Sequence, residues 1–348
     1  MTDPTVSRRG VLRGGAAAAV AAPLIGTVTG MVGGTPAHAA PASAPRRPAA
    51  LRAGDRVRVV APGSTPDPTL MDRGIQILRG WGLEVEVAPH VYDRWGYLAG
   101  RDADRLDDLN DALRDRGVRG IFAARGGYGT QRIIDKVDTG AARRDPKVVV
   151  GFSDITALHG KLWRDAQLAT FYGPMVNWSD TRTGPDSEAS LRSAVMTTDP
   201  IVLRRDPAES SAAVEVPGKA TGRLLGGTLT MLDTSVGAGD FPDLSGAILF
   251  FEDVDEAPYS YDRMLTHLRR VGALRKIAGV AIGQLVNAGQ PGELDAPAVL
   301  RDRLGDLGVP VLGGLRAGHG PGQLTLPLGV PATIDTAAGT LTAEPGVR

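Results

Sequence analysis

The sequence predicts an α/β protein with a parallel-sheet N-terminal domain and a smaller, mixed α+β C-terminal domain. Between Arg56 and Tyr172 short apolar runs alternate with helical patterns, the rhythm of parallel strands joined by helices. The stretch 178–217 breaks that rhythm with a run rich in Asp, Ser, Thr, Arg and Pro. After Gly218 short strands and helices mix less regularly, which predicts a second domain of another type. A length of 348 residues suits two domains.

Taken in order, Val57–Ala61 reads as a strand and Leu70–Trp81 as a helix with Ile75 and Leu78 on its apolar stripe. Leu83–Val87 reads as a strand, and Asp102–Arg116 as an amphipathic helix with Leu106, Leu109 and Leu113 at helical spacing. Gly120–Ala124 is a third strand, followed by the turn Gly126-Gly127-Tyr128-Gly129 and a helix from Thr130. Val148–Gly151 is a fourth strand that runs at once into a helix from Asp154 to Trp163, and Ala169–Tyr172 is a fifth. The domain reading is therefore 51–177 for the first, 178–217 for the connection with one helical patch at Ser187–Met196, and 218–348 for the second. In the second domain Ala247–Phe251, Val280–Leu285, Pro310–Leu312 and Ala332–Asp335 read as strands. Thr228–Val236, Ser260–Val271 and Pro297–Leu304 read as helices. No internal repeat is visible.

Residues 1–39 read as a twin-arginine signal peptide. Arg8 and Arg9 precede a weakly apolar Gly/Ala-rich stretch, and Ala37-His38-Ala39 supplies the small residues of a cleavage site. That stretch holds too much Gly and Thr for a membrane span. Export predicts a periplasmic, cell-wall-associated or secreted location, with 40–50 as a flexible Pro/Ala-rich lead-in. Lys+Arg and Asp+Glu balance at 39 each, which gives no reason to expect nucleic acid or an anionic membrane as partner. The chain has no cysteine, so disulfides, thiol catalysis and thiolate metal sites are excluded. The carboxylates lack spacings such as H-E-x-x-H, and neither a metal nor another cofactor is expected.

Ser153 stands where the buried strand Val148–Gly151 turns sharply into a helix. A serine at such a corner is lifted from the sheet beside the helix N-terminus, as in a nucleophile elbow, with the Asp154 N–H as an oxyanion donor. The second glycine of G-x-S-x-G is missing, and Ser153 or Asp154 reads equally as a helix cap. Of the five histidines, His159 follows on the same helix as Ser153 and lies too far along it to reach the serine, and His267 falls in an amphipathic helix. His319, between Gly318 and Gly320, reads as a general base or as an ordinary loop histidine. Glu252 ends the apolar run Ile248-Leu249-Phe250-Phe251 and reads as the acid that orients the base, or as part of a solvated cluster with Asp253, Asp255 and Glu256. Gly126-Gly127-Tyr128-Gly129 lacks the Lys of a phosphate loop and reads as a tight turn that lends a second oxyanion N–H from Gly127.

These segments together resemble the LD-carboxypeptidases, the murein tetrapeptide carboxypeptidase family of serine peptidases. The resemblance runs from about Leu51 to Leu341. It is carried by Ala61-Pro62-Gly63-Ser64, Arg125-Gly126-Gly127-Tyr128-Gly129, Gly151-Phe152-Ser153-Asp154-Ile155-Thr156 and Gly173-Pro174-Met175. Further on it is carried by Gly226-Gly227-Thr228-Leu229, Leu249-Phe250-Phe251-Glu252-Asp253, Asp262-Arg263-Met264-Leu265, Gly318-His319 and Thr325-Leu326-Pro327-Leu328-Gly329. It implies a flavodoxin/amidotransferase-like first domain carrying Ser153 as nucleophile and a second domain carrying Glu252 and His319 as the relay pair. It also implies a homodimer and hydrolysis of the L,D-amide bond that releases terminal D-Ala from peptidoglycan tetrapeptides. Tyr128, Met175 and Trp178 are candidate walls of the substrate pocket, with core packing the competing role for Met175. Position 228 is Thr where the family usually has Asn. Well-known members act in the cytoplasm, from which an exported chain departs. Three other readings stay open: a related serine peptidase acting on another amide, as in the branch that resembles microcin self-immunity peptidases; a non-catalytic exported protein that binds wall peptides; and a structural protein of the wall.

Overall fold

Strand β1 (Arg56–Val60) starts the first sheet, and β2 (Glu84–Val87), β3 (Val118–Ala123), β4 (Val148–Gly151) and β5 (Thr170–Tyr172) follow it. In this computed structural model, which describes residues 44–290, 292 and 294–348, all pairings among these five are parallel, in the order β2-β1-β3-β4-β5. The helices between them form for local reasons. In Pro68–Gly80, for example, the Asp67 carboxylate caps the Leu70 N–H at 3.0 Å and Pro68 opens the first turn, where its missing N–H costs nothing. Met71, Ile75 and Leu78 form the buried stripe of that helix.

The other strands are β6 (Ile201–Arg204), β7 (Glu215–Val216), β8 (Lys219–Thr228), β9 (Ala247–Val254), β10 (Gly279–Val286), β11 (Val311–Leu312), β12 (Leu326–Leu328), β13 (Pro331–Asp335) and β14 (Thr340–Ala343). Eight of them build a mixed sheet in the order β6-β14-β13-β8-β9-β10-β11-β7, with β8 to β11 parallel and the flanking strands antiparallel. Strand β12 crosses over and closes the first sheet antiparallel to β5. The α/β class and the parallel first sheet are as the sequence predicts.

Two features differ from the sequence expectation. Besides its expected helical patch, seen as the helix Pro185–Met196, the stretch 178–217 gives β6 and β7 to the two edges of the second sheet. The end of the expected flexible lead-in is tied down: Arg46 bridges Leu168, and Pro48 and Ala50 exchange backbone hydrogen bonds with Arg348. The expected signal at 1–39 and the lead-in up to residue 43 lie outside the described residues. Among the described residues no helix is long and apolar enough to cross a membrane.

The unbroken apolar run in β9 follows from its position. Ile248 and Phe250 pack into a core shared with the first sheet, whereas Leu249 and Phe251 pack into a second core beneath the helices of the other face. A strand covered on both faces has no polar side to alternate with. Side chains two apart share a face, so Glu252 emerges on the same side as Phe250, toward the first sheet.

Candidate active site

At the end of β4 the chain reaches Gly151, extends through Phe152 and turns at Ser153 with φ +62°. A left-handed backbone at a residue with a side chain is strained and persists only where its surroundings impose it. A short 3₁₀ turn, Ser153–Ile155, then enters the helix Thr156–Ala166. The geometry removes the helix-cap reading of this corner. Neither Ser153 nor Asp154 caps the helix with its side chain. The Ser153 hydroxyl is half-buried and makes no hydrogen bond among the described residues. The Asp154 carboxylate turns away and accepts from the N–H and hydroxyl of Thr130, at 2.9 and 2.7 Å. Behind the corner, buried His159 sits 3.0 Å from the Gly151 carbonyl, and burial lowers its pKa to about 4, so the ring is neutral and its Nε2–H donates.

The second sheet brings an acid and a base to this corner. Glu252 is fully buried, and its Oε2 lies 2.7 Å from His319 Nδ1 and 3.1 Å from the His319 backbone N. Its Oε1 accepts from the Tyr172 hydroxyl at 2.6 Å and the Thr228 hydroxyl at 2.8 Å. These four bonds use the full acceptor capacity of a carboxylate. A carboxylate at Oε2 assigns the proton to Nδ1 and leaves Nε2 as the basic nitrogen. The solvated-cluster reading of Glu252 therefore does not hold. Gly318 permits the approach: at φ +136° its backbone suits glycine, and a Cβ there would lie 2.5 Å from Glu252 Oε2. Gln284 holds the far side of the loop by accepting from the Gly320 N–H at 3.0 Å and donating to the Pro321 carbonyl at 3.0 Å.

Ser153 is joined to this pair through its neighbours. The His319 ring packs on Phe152 with centroids 4.8 Å apart, and the Ser153 N–H donates to the Tyr172 hydroxyl at 3.4 Å. No direct hydrogen bond joins Ser153 Oγ to His319 among the described residues. Tyr172 and Thr228 escaped the sequence reading as site residues. The signal was positional: Tyr172 pairs with Gly151 on the strand beside the corner, and Thr228 pairs with Glu252 itself. Thr228, where the family usually has Asn, keeps a polar contact to the acid.

In the glycine turn it is the Cα of Gly126 that lies against the serine. A Cβ on Gly126 would stand 3.0 Å from Ser153 Cβ, 3.2 Å from its Oγ and 3.4 Å from the Asp154 N. Gly126 thus keeps open the space where hydroxyl and amide converge. Gly127, at φ +90°, faces Ser64 instead. Arg105 is buried and fixes the turn by donating to the Pro62 and Gly129 carbonyls. Of the proposed pocket walls, Met175 is buried in the first core and also lines a cleft with Phe152, and Trp178 packs in the same core against Leu78 and Leu191. Tyr128 is 44% exposed and leans on Tyr97, with centroids 5.9 Å apart. Among the described residues no group of three His, Asp or Glu could hold a metal.

Residues 57–173 match the family model for the LD-carboxypeptidase N-terminal domain, and 221–334 match that for the LD-carboxypeptidase C-terminal domain. The chain belongs to the LD-carboxypeptidase family. A Streptomyces coelicolor relative is 43% identical over 303 residues, which cover 86% of this chain and 96% of that protein. A Bacillus subtilis protein named a probable murein peptide carboxypeptidase is 37% identical over 310 residues, covering 86% of this chain and 95% of its own. Among solved structures, the muramoyltetrapeptide carboxypeptidase from Oxalobacter formigenes superposes with a TM-score of 0.73 at 28% identity, covering 83% of this LD-carboxypeptidase family member and 97% of that chain. The microcin C7 self-immunity protein MccF superposes at 0.77 with 22% identity, covering 86% and 98%, a likeness of fold.

Proposed function

We propose that this carboxypeptidase-family protein is a serine enzyme that cuts the L,D-amide bond before the terminal D-Ala of peptidoglycan tetrapeptides. His319 Nε2 takes the proton of Ser153 Oγ as the hydroxyl attacks the carbonyl, and Glu252 holds Nδ1–H and steadies the imidazolium. The Asp154 N–H, beside the space that Gly126 leaves open, receives the oxyanion together with an N–H of the Gly126-Gly127 turn. His319 then gives its proton to the leaving D-Ala amine, and water enters by the same base to release the tripeptide. The observation that carries this reading is the buried Glu252–His319 pair at 2.7 Å, stacked through Phe152 on an uncapped serine with φ +62°. A protein that only bound wall peptides, or served the wall structurally, would have no use for that arrangement.

Mass spectrometry of a disaccharide-tetrapeptide incubated with the protein tests it. The wild type should remove one alanine, and Ser153→Ala should slow the removal by at least about 10³-fold. An intact tetrapeptide after long incubation with folded wild type would refute the substrate and leave another amide as the target.

A further inference from the structure

Beside the candidate nucleophile lies a cleft of about 210 Å³, room for one small amino acid, into which Arg125 and Arg182 both project. Arg125 precedes Gly126, the residue that faces Ser153. The Arg182 guanidinium lies over the Phe152 ring, 6.0 Å from its centroid, and His319 packs on that same ring. Neither arginine has a carboxylate partner among the described residues. Arg125 gives one hydrogen bond, to the Thr65 carbonyl at 3.0 Å, and the Arg182 guanidinium gives none. The acids beside the lining residues are engaged elsewhere: Asp180 pairs with Arg73, Asp186 with Arg316, and the Asp67 carboxylate caps the Leu70 N–H. The remaining lining is apolar or neutral, including Met175 and Asn177, and contains no carboxylate. Two cations without counter-ions thus converge on a small cleft one residue away from both the serine and the glycine that faces it.

On the reading of the chain as an enzyme that releases D-Ala, we propose that Arg125 and Arg182 bind the terminal carboxylate of the departing residue. A guanidinium presents paired N–H donors that match a carboxylate, and such charge-assisted bonds discriminate strongly against a neutral amide. The cleft then makes the protein an exopeptidase. It admits one residue and requires a free carboxylate behind the scissile bond.

Calorimetric titration of the Ser153→Ala protein with a disaccharide-tetrapeptide, and with the same peptide amidated at its C-terminus, separates the possibilities. The free acid should bind roughly 10- to 100-fold more tightly than the amide. Adding Arg125→Gln or Arg182→Gln should shrink that ratio toward one, while Arg182→Lys, which keeps charge but loses the fork, should retain part of it. Thermal melting confirms that each variant is folded. Equal binding of acid and amide, no binding of either, or full discrimination in both Gln variants would overturn the assignment. Release of D-Ala by the wild type judges the reaction separately. If release occurs while discrimination survives both substitutions, the reaction stands and the carboxylate is held elsewhere. If discrimination depends on the arginines while no release occurs, the arginine site stands and the reaction falls.

Discussion

Tyr172 joins the two halves of the site with one hydroxyl, which accepts from the Ser153 N–H and donates to Glu252 Oε1. Burial, with the adjacent Glu252 charge, pushes its pKa well above the ordinary tyrosine value, so it stays a donor across the working pH range. Under the proposed mechanism it is a positioning residue: it fixes the carboxylate that fixes the imidazole. Tyr172→Phe should lower kcat about 10- to 100-fold with little change in KM, and should cost roughly 1–3 kcal/mol of stability in urea unfolding. An unchanged kcat with lowered stability would reduce Tyr172 to a core residue. Ser153, Glu252 and His319 were legible in the sequence because each interrupts its surroundings: a serine at a strand-to-helix corner, an acid closing an apolar run, a histidine between glycines. Tyr172 was not, because an aromatic at a strand end looks like core, and only the pairing with Gly151 reveals its neighbour.

At the scale of the elements, the turn after β3 and the corner after β4 face each other across Gly126. Its φ is not in the left-handed region, so alanine suits the backbone and the added methyl acts sterically, 3.2 Å from Ser153 Oγ. Gly126→Ala should therefore cut kcat/KM at least tenfold while costing roughly 1–3 kcal/mol of stability through the 3.0 Å approach to Ser153 Cβ, as measured by D-Ala release and urea unfolding. Unaltered kinetics would show that the space beside Gly126 is not where the carbonyl sits. The turn itself is legible from its three glycines, but which of them lies against Ser153 is not, because sequence does not orient a turn. The same limit appears in the second sheet. Strands β9 and β10 were legible from continuous apolar runs, since both faces are covered. Strand β8, Lys-Ala-Thr-Gly-Arg-Leu-Leu-Gly-Gly-Thr, was not, because its glycines and charges hide a ten-residue strand. The edge strand β6 is only four residues long and lies in a polar segment, although Ile201 and Leu203 alternate inward.

At the scale of the whole molecule, two buried groups behind the site bind protons in opposite senses. Asp253 follows Glu252 on β9, and burial, then the Glu252 charge, raises its pKa to about 7 against the hydrogen bonds it accepts from Thr230 and Val254. The folded protein therefore holds a proton on Asp253 that the unfolded chain releases near pH 4. Its contribution is full below that pH and is lost as pH rises through about 7. His159 does the reverse. Burial lowers its pKa to about 4, so the unfolded chain gains a proton near pH 6.5 that the folded state refuses, and stability is lost as pH falls from 6.5 toward 4. The windows overlap and the signs oppose, so these two contributions largely offset each other in the wild type between pH 4.5 and 6.5. Asp253→Asn removes only the first. Relative to wild type, the variant should gain on going to pH 8 and lose on going to pH 5, the difference in unfolding free energy shifting by roughly 1–3 kcal/mol across that range. Urea unfolding of both proteins in steps from pH 5 to pH 8 measures it. A difference that stays constant with pH would mean that Asp253 is ionised in the fold throughout, and that the second sheet accommodates two adjacent buried charges.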